Sequence, residues 1–296
     1  MGGLSSEREV SLLSGEECAR ALERLGYRVS RIDPDRDLAA RLIEIGPDVV
    51  LNMLHGGHGG NGVIQGTLEL MGLPYTHSGV RAAALATHKG DARAILNDAG
   101  IRVPFGMVVP RQEASRIHLI QPPYVAKPLC EGSSLGIAFV MEGDEPAEFL
   151  GSADWAYGPR VLLEEYIPGK ELSCAVLGDR ALAVVETIPA GKFNDHAEKS
   201  AIEGSVTIVP ADLPANVYQL VQKAALDAHN ALGCRGASRS DFRYNERLGA
   251  EGIFCLEVNN QPGMTQLSLL PEMAQYEGIE YDELVRWILS DASINR

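Results

Sequence analysis

The chain has 296 residues, 45% of them hydrophobic, and a formal net charge of −14. That length can enclose two or three hydrophobic cores. The acidity excludes a generic binder of nucleic acid or anionic membrane, which needs clustered Lys and Arg. Five scattered cysteines (Cys18, Cys130, Cys174, Cys234, Cys255) include no CxxC pair, so they read as reduced thiols and not as a disulfide frame or a zinc site. There is no apolar run near the roughly 18 residues that span a membrane and no basic-then-apolar leader, so the expected location is the cytoplasm.

In chain order, Val10, Leu12, Leu13, Cys18, Ala21, Leu22 and Leu25 recur at helical spacing over 5–25 and stop at Gly26. An alternating strand is expected at 27–32, a short helix at 37–45 and an apolar strand at 48–54. The loop His55-Gly56-Gly57-His58-Gly59-Gly60-Asn61-Gly62 follows, then a helix over 63–71. Strands alternating with helices predict a parallel α/β domain. The chain opens on Met1-Gly2-Gly3, so this domain is expected to lack its first strand. A helix is predicted over 80–99, ending at Gly100.

From about 102 to 190 the texture changes to short strands at 106–109, 123–127, 137–141, 161–166, 172–177 and 181–187, a second, α+β region. Residues 190–210 are polar and irregular. An amphipathic helix over 214–232, strands at 239–244 and 253–259, and helices at 271–276 and 281–290 complete the chain. The expected division is 1–85, 86–170 and 171–296.

Three constellations carry chemistry. In the strand ending Glu257-Val258-Asn259, alternation puts 255, 257 and 259 on one face and Phe254, Leu256 and Val258 on the other. With Asp241 on a neighbouring strand, two carboxylates and an amide oxygen suit Mg²⁺, which prefers oxygen ligands shared with phosphates. A solvated strand end is the simpler reading of any one carboxylate, but the Pro262-Gly263 turn adds backbone N–H groups beside them. Lys127-Pro128-Leu129-Cys130-Glu131-Gly132-Ser133-Ser134-Leu135-Gly136 is a lysine followed by a Gly/Ser loop, a candidate anion nest that a plain hairpin would also resemble. In Glu164-Glu165-Tyr166-Ile167-Pro168-Gly169-Lys170-Glu171 a strand runs into a charged turn whose backbone edge could pair with adenine.

Lys127-Pro128 with Gly132-Ser133-Ser134-Leu135-Gly136, together with Gly2-Gly3-Leu4-Ser5-Ser6-Glu7-Arg8-Glu9-Val10-Ser11, Leu54-His55-Gly56, Gln65-Gly66, Pro74-Tyr75-Thr76-His77-Ser78-Gly79-Val80, Arg239-Ser240-Asp241-Phe242 and the run from Glu257 to Leu269, resembles the D-alanine–D-alanine ligase family over essentially the whole chain. The resemblance implies an ATP-grasp fold, with nucleotide between two α+β lobes behind the N-terminal α/β domain. It implies an ATP-dependent ligase that joins two D-alanines through an acyl phosphate, with two Mg²⁺ (or Mn²⁺) ions and a homodimeric assembly. Lys89, Lys127 and Lys199 would contact phosphates. Glu164 and the backbone near Ile167 would hold adenine, and Glu171 the ribose. Asp241, Glu257 and Asn259 would bind the metals. Glu7 and His55 would hold the first D-alanine, Arg239 and the Gly263 backbone the oxyanion, and Ser268 and Leu269 the second carboxylate.

The sequence departs from the family pattern near this site. Gly60-Asn61 stands for Glu-Asp, Thr87-His88 for Met-Asp, and Asn260 for Thr. In the closing loop, Phe193-Asn194-Asp195-His196-Ala197-Glu198-Lys199-Ser200 places Ser200 where the family has a tyrosine that latches towards Ser134 and Glu7. Relatives that make D-alanyl-D-lactate also lack that tyrosine and carry a loop histidine, as here at His196. A different second substrate (D-lactate or another amino acid), or a nucleotide-binding homologue with little activity, therefore stands beside the main reading.

Overall fold

The computed structural model of the protein describes residues 1–132, 135–189 and 205–296. The helices are α1 (Arg8–Arg24), α2 (Leu38–Ile45), α3 (Gly57–Gly60), α4 (Val63–Met71), α5 (Val80–Thr87), α6 (Lys89–Asp98), α7 (Arg111–Ala114), α8 (Ala215–Leu232), α9 (Leu269–Tyr276) and α10 (Tyr281–Ser290). The strands are β1 (Gly106–Pro110), β2 (Tyr124–Pro128), β3 (Ala138–Val140), β4 (Arg160–Glu165), β5 (Lys170–Leu177), β6 (Arg180–Ile188), β7 (Val206–Ile208), β8 (Ala237–Tyr244) and β9 (Ile253–Asn259).

Most expected elements form where the apolar period puts them. In α8, Val217, Val221, Ala225, Ala228 and Leu232 are buried at steps of three and four residues. The helix ends on Gly233 at φ 71°, a left-handed cap that glycine takes without a Cβ clash. The helix expected over 80–99 is two helices. His88 has extended backbone (φ −86°, ψ 97°), and its ring accepts a hydrogen bond from the Asp91 N–H, capping α6. A cap residue cannot also be a mid-helix residue, so the chain turns there.

The N-terminal strands expected at 27–32 and 48–54 are not built as ladders. Among the described residues, the 48–54 segment makes a single parallel bridge, Val50 with Tyr75. Side chains replace the next rungs: the Asn52 N–H donates to the Thr76 hydroxyl, and Gln261 donates to the Asn52 carbonyl. Residues 1–3 run beside 32–33, where the Met1 amino group donates to the Ile32 carbonyl and the Gly3 N–H to Asp33.

Two antiparallel sheets dominate the rest. The smaller has the order β1-β4-β2-β3 and the larger β7-β6-β5-β8-β9. One face of the small sheet buries Val109, Tyr124, Ala126, Val161 and Leu163. The large sheet packs Leu172, Cys174, Val184, Phe242 and Val258 against α6 and α8, and Ala175, Leu177 and Ala237 against α9, α10 and α1. Each fully buried Val, Leu or Phe among these contributes roughly 1.5–3 kcal/mol. Ala86, Ala92, Leu96 and Ile101 join the large sheet's core. The four-residue connector 166–169 links β4 of one sheet to β5 of the other.

Candidate active site

A cleft with a cavity volume of about 180 Å³ lies between the sheets, lined by Lys89, Lys127, Glu131, Glu164, Tyr166, Ile167, Glu171, Asp241, Arg243 and Glu257 among others. The small sheet presents its second face here. Lys127 lies opposite Leu162 and Val125 opposite Glu164, so these four share the face turned from the core. The Lys127 Nζ donates to Glu164 Oε2 at 2.7 Å, and Arg93 Nη1 lies 3.8 Å from Glu164 Oε1. Glu164 is only 2% exposed, a buried carboxylate between two cations.

From the large sheet, Asp241 on β8 pairs in register with Glu257 on β9 and with Ser173 on β5. Asp241 accepts hydrogen bonds from the Ser173 hydroxyl at 2.7 Å, the Asn259 amide at 2.9 Å, and Arg239 through two nitrogens, both at 2.8 Å. Glu257 meets Lys89 Nζ at 2.7 Å, and Lys89 also donates to the Glu131 carbonyl at 2.8 Å. Burial by itself would lower the Lys89 pKa, but the Glu257 carboxylate outweighs it and the ammonium is held above its usual value. Conversely, burial would raise Glu257, and Lys89 with Lys127 and Arg239 hold it below the usual carboxylate range. Glu171 is pushed up by burial and by the neighbouring Asp241 charge, with Arg243 opposing.

The expected alternation along β9 fails at one point. Asp241 pairs with Glu257 and Phe242 with Cys255, so residue 256 has no partner and the strand bulges. Cys255 therefore turns into the core with Val258, while Leu256 and Glu257 both line the cleft. A bulge beside a site re-aims a side chain in this way. Glu257 and Asn259 still converge on Asp241, as expected from the sequence.

Beside this cleft, four distant segments meet: Glu7 and Ser14, His55 and Gly56, Gly132, and 261–269. The Glu7 carboxylate lies against Gly56 and Gly132: a Cβ at Gly132 would stand 3.1 Å from Glu7 Oε1, and one at Gly56 would collide with Oε2. His55 is 6% exposed, and both its ring nitrogens are engaged. The Gln261 carbonyl can only accept, so Nδ1 carries the proton and donates to it at 3.1 Å. Nε2 then accepts from the Ser14 hydroxyl at 3.2 Å, and Ser14 accepts from the Met264 N–H. Burial lowers the His55 pKa to about 4, so the ring is neutral. Gly263 and Ser268 form one turn at the start of α9, where a Cβ on Gly263 would lie 2.9 Å from the Ser268 hydroxyl and Leu269 opens the helix.

The structure thus brings Lys89, Lys127, Glu164, Ile167, Glu171, Asp241 and Glu257 around one cleft, with Asn259 and Arg239 on Asp241. Ser134, Lys199, His196 and Ser200 lie outside the described residues. Three departures from the family pattern meet in space: the Asn260 amide donates to the Gly60 and Ala83 carbonyls, and the Thr87 hydroxyl to the Gly60 carbonyl. Sequence reasoning missed Ser14, Arg93, Ser173 and Arg243. Arg243 had a signal, because alternation along 239–244 puts Arg239, Asp241 and Arg243 on one face. Ser14, Ser173 and Arg93 sit in helix and strand patterns that read as ordinary polar positions.

Comparison with known proteins gives one consistent picture. The family model for the D-ala D-ala ligase C-terminus matches residues 97–290. A D-alanine–D-alanine ligase of Methylorubrum populi is 54% identical over 299 aligned residues, covering 100% of this chain and 97% of that protein. One from Chelativorans is 53% identical with the same coverage. The crystal structure of a D-alanine–D-alanine ligase from Bacillus anthracis in complex with ATP superposes with a TM-score of 0.80 at 30% identity, covering 98% of this chain and 94% of that one. A second structure of the ligase from that organism gives a TM-score of 0.82 at 30% identity, with 98% and 95% coverage.

Proposed function

The chain belongs to the D-alanine–D-alanine ligase family of ATP-grasp fold, and on that premise we propose that it cleaves ATP to join two D-alanines through an acyl phosphate, for peptidoglycan precursor synthesis. The observation that carries this reading is the in-register Asp241/Glu257 pair, set beside Lys89 and opposite Lys127 in one cleft between two sheets. A carboxylate attacking the γ-phosphate brings two anions together, and fixed cations in a partly dry cleft offset that repulsion. Lys89 and Lys127 are those cations, held in place now by Glu257 and Glu164.

Asp241, Glu257 and Asn259 would hold Mg²⁺ or Mn²⁺, two ions by family resemblance. Their donors are two carboxylates and an amide oxygen, the hard set these ions prefer. Among the described residues, no group of three or more His, Cys, Asp or Glu is placed to hold a metal ion. When bound, the ions would neutralise the polyphosphate and orient it.

The chain's own groups do the rest. Glu7 would take the ammonium of the first D-alanine. His55, locked in its Nδ1–H form, would act through the backbone it holds: its bonds to Gln261 and Ser14 fix the 261–264 segment that carries the Gly263 N–H. Arg239 and that N–H would stabilise the tetrahedral oxyanion. Ser268 and Leu269, at the N-terminus of α9, would receive the second carboxylate, where helix N–H groups favour an anion. Glu171 would hold the ribose, and Ser134 and Lys199 complete the proposed set. The division into 1–85, 86–170 and 171–296 and the cytoplasmic location, both expected from the sequence pattern, and the homodimer, implied by the resemblance, belong to the same proposal.

The test is phosphate release and dipeptide formation with Mg²⁺-ATP and D-alanine, run in parallel with D-lactate, L-alanine and other amino acids. Equal amounts of phosphate and D-alanyl-D-alanine are expected. Turnover only with another acceptor would replace the second substrate, and no ATP cleavage with any acceptor would overturn the ligase reading.

A further inference from the structure

Arg243 is buried on β8 and lines the cleft, yet nothing above assigns it a task. Its guanidinium reaches across to the connector between the sheets. Nε donates to the Ile167 carbonyl at 3.0 Å and Nη2 to the Gly169 carbonyl at 2.7 Å. Nη1 lies 3.6 Å from the Glu171 carboxylate. One planar fork thus takes two of the connector's four carbonyls and pairs with the first acidic group beyond it. Gly169 sits at φ 117°, and a Cβ there would collide with the Tyr244 carbonyl, so the connector lies flat against the end of β8.

The connector's backbone is therefore committed group by group. Tyr166 gives its N–H to the Pro123 carbonyl, and Pro168 has none to give. Of 166–169, Tyr166 and Ile167 line the cleft. With the Ile167 carbonyl turned to Arg243, its N–H is the group of that residue that can meet a base.

We propose that Arg243 is a positioning residue for the nucleotide base, holding the connector so that the Ile167 N–H meets a purine ring acceptor and disfavours a purine that carries N1–H. This rests on the reading that the cleft binds ATP. Adenine offers an unprotonated N1, which accepts. Hypoxanthine carries a proton there, and two donors facing each other leave one unpaired in a buried site. Discrimination depends on the peptide being held, because a connector free to turn could present a carbonyl instead.

The experiment compares wild type, Arg243→Met and Arg243→Lys, using ATP and ITP, which differ only at purine positions 1 and 6. Arg243→Met is expected to raise KM for ATP roughly tenfold, the scale of one hydrogen bond to a charged group. KM for D-alanine stays within about twofold, and the ATP-over-ITP preference in kcat/KM shrinks. Arg243→Lys keeps the charge but cannot span two carbonyls, so it follows Arg243→Met, and it serves alone if the methionine variant does not fold. The proposal is overturned if the folded variants keep wild-type KM for ATP and wild-type ATP/ITP preference. It is also overturned if KM for ATP and D-alanine rise together, or if lysine restores wild-type behaviour. Binding of a non-hydrolysable ATP analogue and its inosine counterpart, followed by calorimetry, reads the same ratio without turnover. A wild type that cleaves no ATP would therefore sink the ligase reading and leave this one to be decided by the binding ratio.

Discussion

The two sheets face one cleft but differ in what lies behind them. The four-stranded sheet is packed on one face only, and its other face is the cleft wall bearing Val125, Lys127 and Glu164. The five-stranded sheet is covered by α6 and α8 on one side and by α9, α10 and α1 over part of the other. A thin layer can shift as a unit, whereas a layer buried on both sides cannot move without opening its core. The groups proposed to hold the metal and the oxyanion, Arg239, Asp241, Glu257 and Asn259, are all on the deep sheet. Lys127 and Glu164, which would follow the nucleotide, are on the thin one. On the proposed assignment, the reacting centre is set on the bed with the most packing behind it.

The sharpest way to break this comparison is to neutralise one carboxylate on each sheet. Glu257→Gln should cut ligase turnover on the order of 10³-fold, since it removes an expected metal ligand and its charge, while Lys89 keeps its bond to the Glu131 carbonyl. Its melting temperature should stay close to wild type. Glu164→Gln, on the thin sheet, should act mainly on KM for ATP. Steady-state kinetics with both variants decide it, and comparable loss of kcat in the two would erase the distinction.

Core truncation is the next largest effect. Phe242→Ala, behind the deep sheet, should cost about 3–5 kcal/mol and lower global stability. Leu163→Ala, behind the thin sheet, should cost about 2–3 kcal/mol and chiefly raise hydrogen exchange within β1–β4. Denaturant melts with amide exchange read both, and uniform loss of protection in each variant would show one cooperative block.

Acid should act unevenly as well. Burial lowers His55, His77 and His229 to about 4 from the ordinary 6.5, so the folded chain keeps them neutral. Between these values the unfolded chain binds protons that the folded chain does not. Their stability contribution is then whole above pH 6.5 and is lost as pH falls towards 4. On the order of 1–3 kcal/mol per histidine is at stake. All three lie outside the four-stranded sheet, so exchange protection at pH 4.5 should fail first around α8 and residues 52–77. Earlier loss in β1–β4 would contradict this.

The smallest effect concerns the substitutions that meet at Gly60. Asn260→Ala removes two donors from the Gly60 and Ala83 carbonyls, but Thr87 still serves Gly60. A loss of about 1–2 kcal/mol is expected. No shift in a thermal melt would mean these contacts do not tie the N-terminal segment to the deep sheet.

The extent to which the site was legible follows from its physics. Lys127, Glu257 and Asn259 could be found because each sits near a strand end with a recognisable neighbour pattern, and Asp241 because it lies in the Arg239-Ser240-Asp241-Phe242 run. Arg243 was passed over although its face was readable, because a basic residue near a strand end looks solvated until its partners are known. Ser14 was invisible, since its role depends on His55 and Met264, 41 and 250 residues away. The N-terminal strands were over-read: the apolar runs are real, but side chains such as Asn52 and Thr76 take the places of ladder bonds there.

By itself the amino-acid order determined most of the helices, the strands of the two sheets and the residue types of the site, because helical and strand periods and glycine caps are local properties. Only the tertiary structure decided which carboxylate meets which cation, that Cys255 turns inward while Leu256 and Glu257 share the cleft, and that His55 carries its proton on Nδ1. Those depend on register, a single bulge and hydrogen bonds between distant segments, and none of the three is written in any short stretch of sequence.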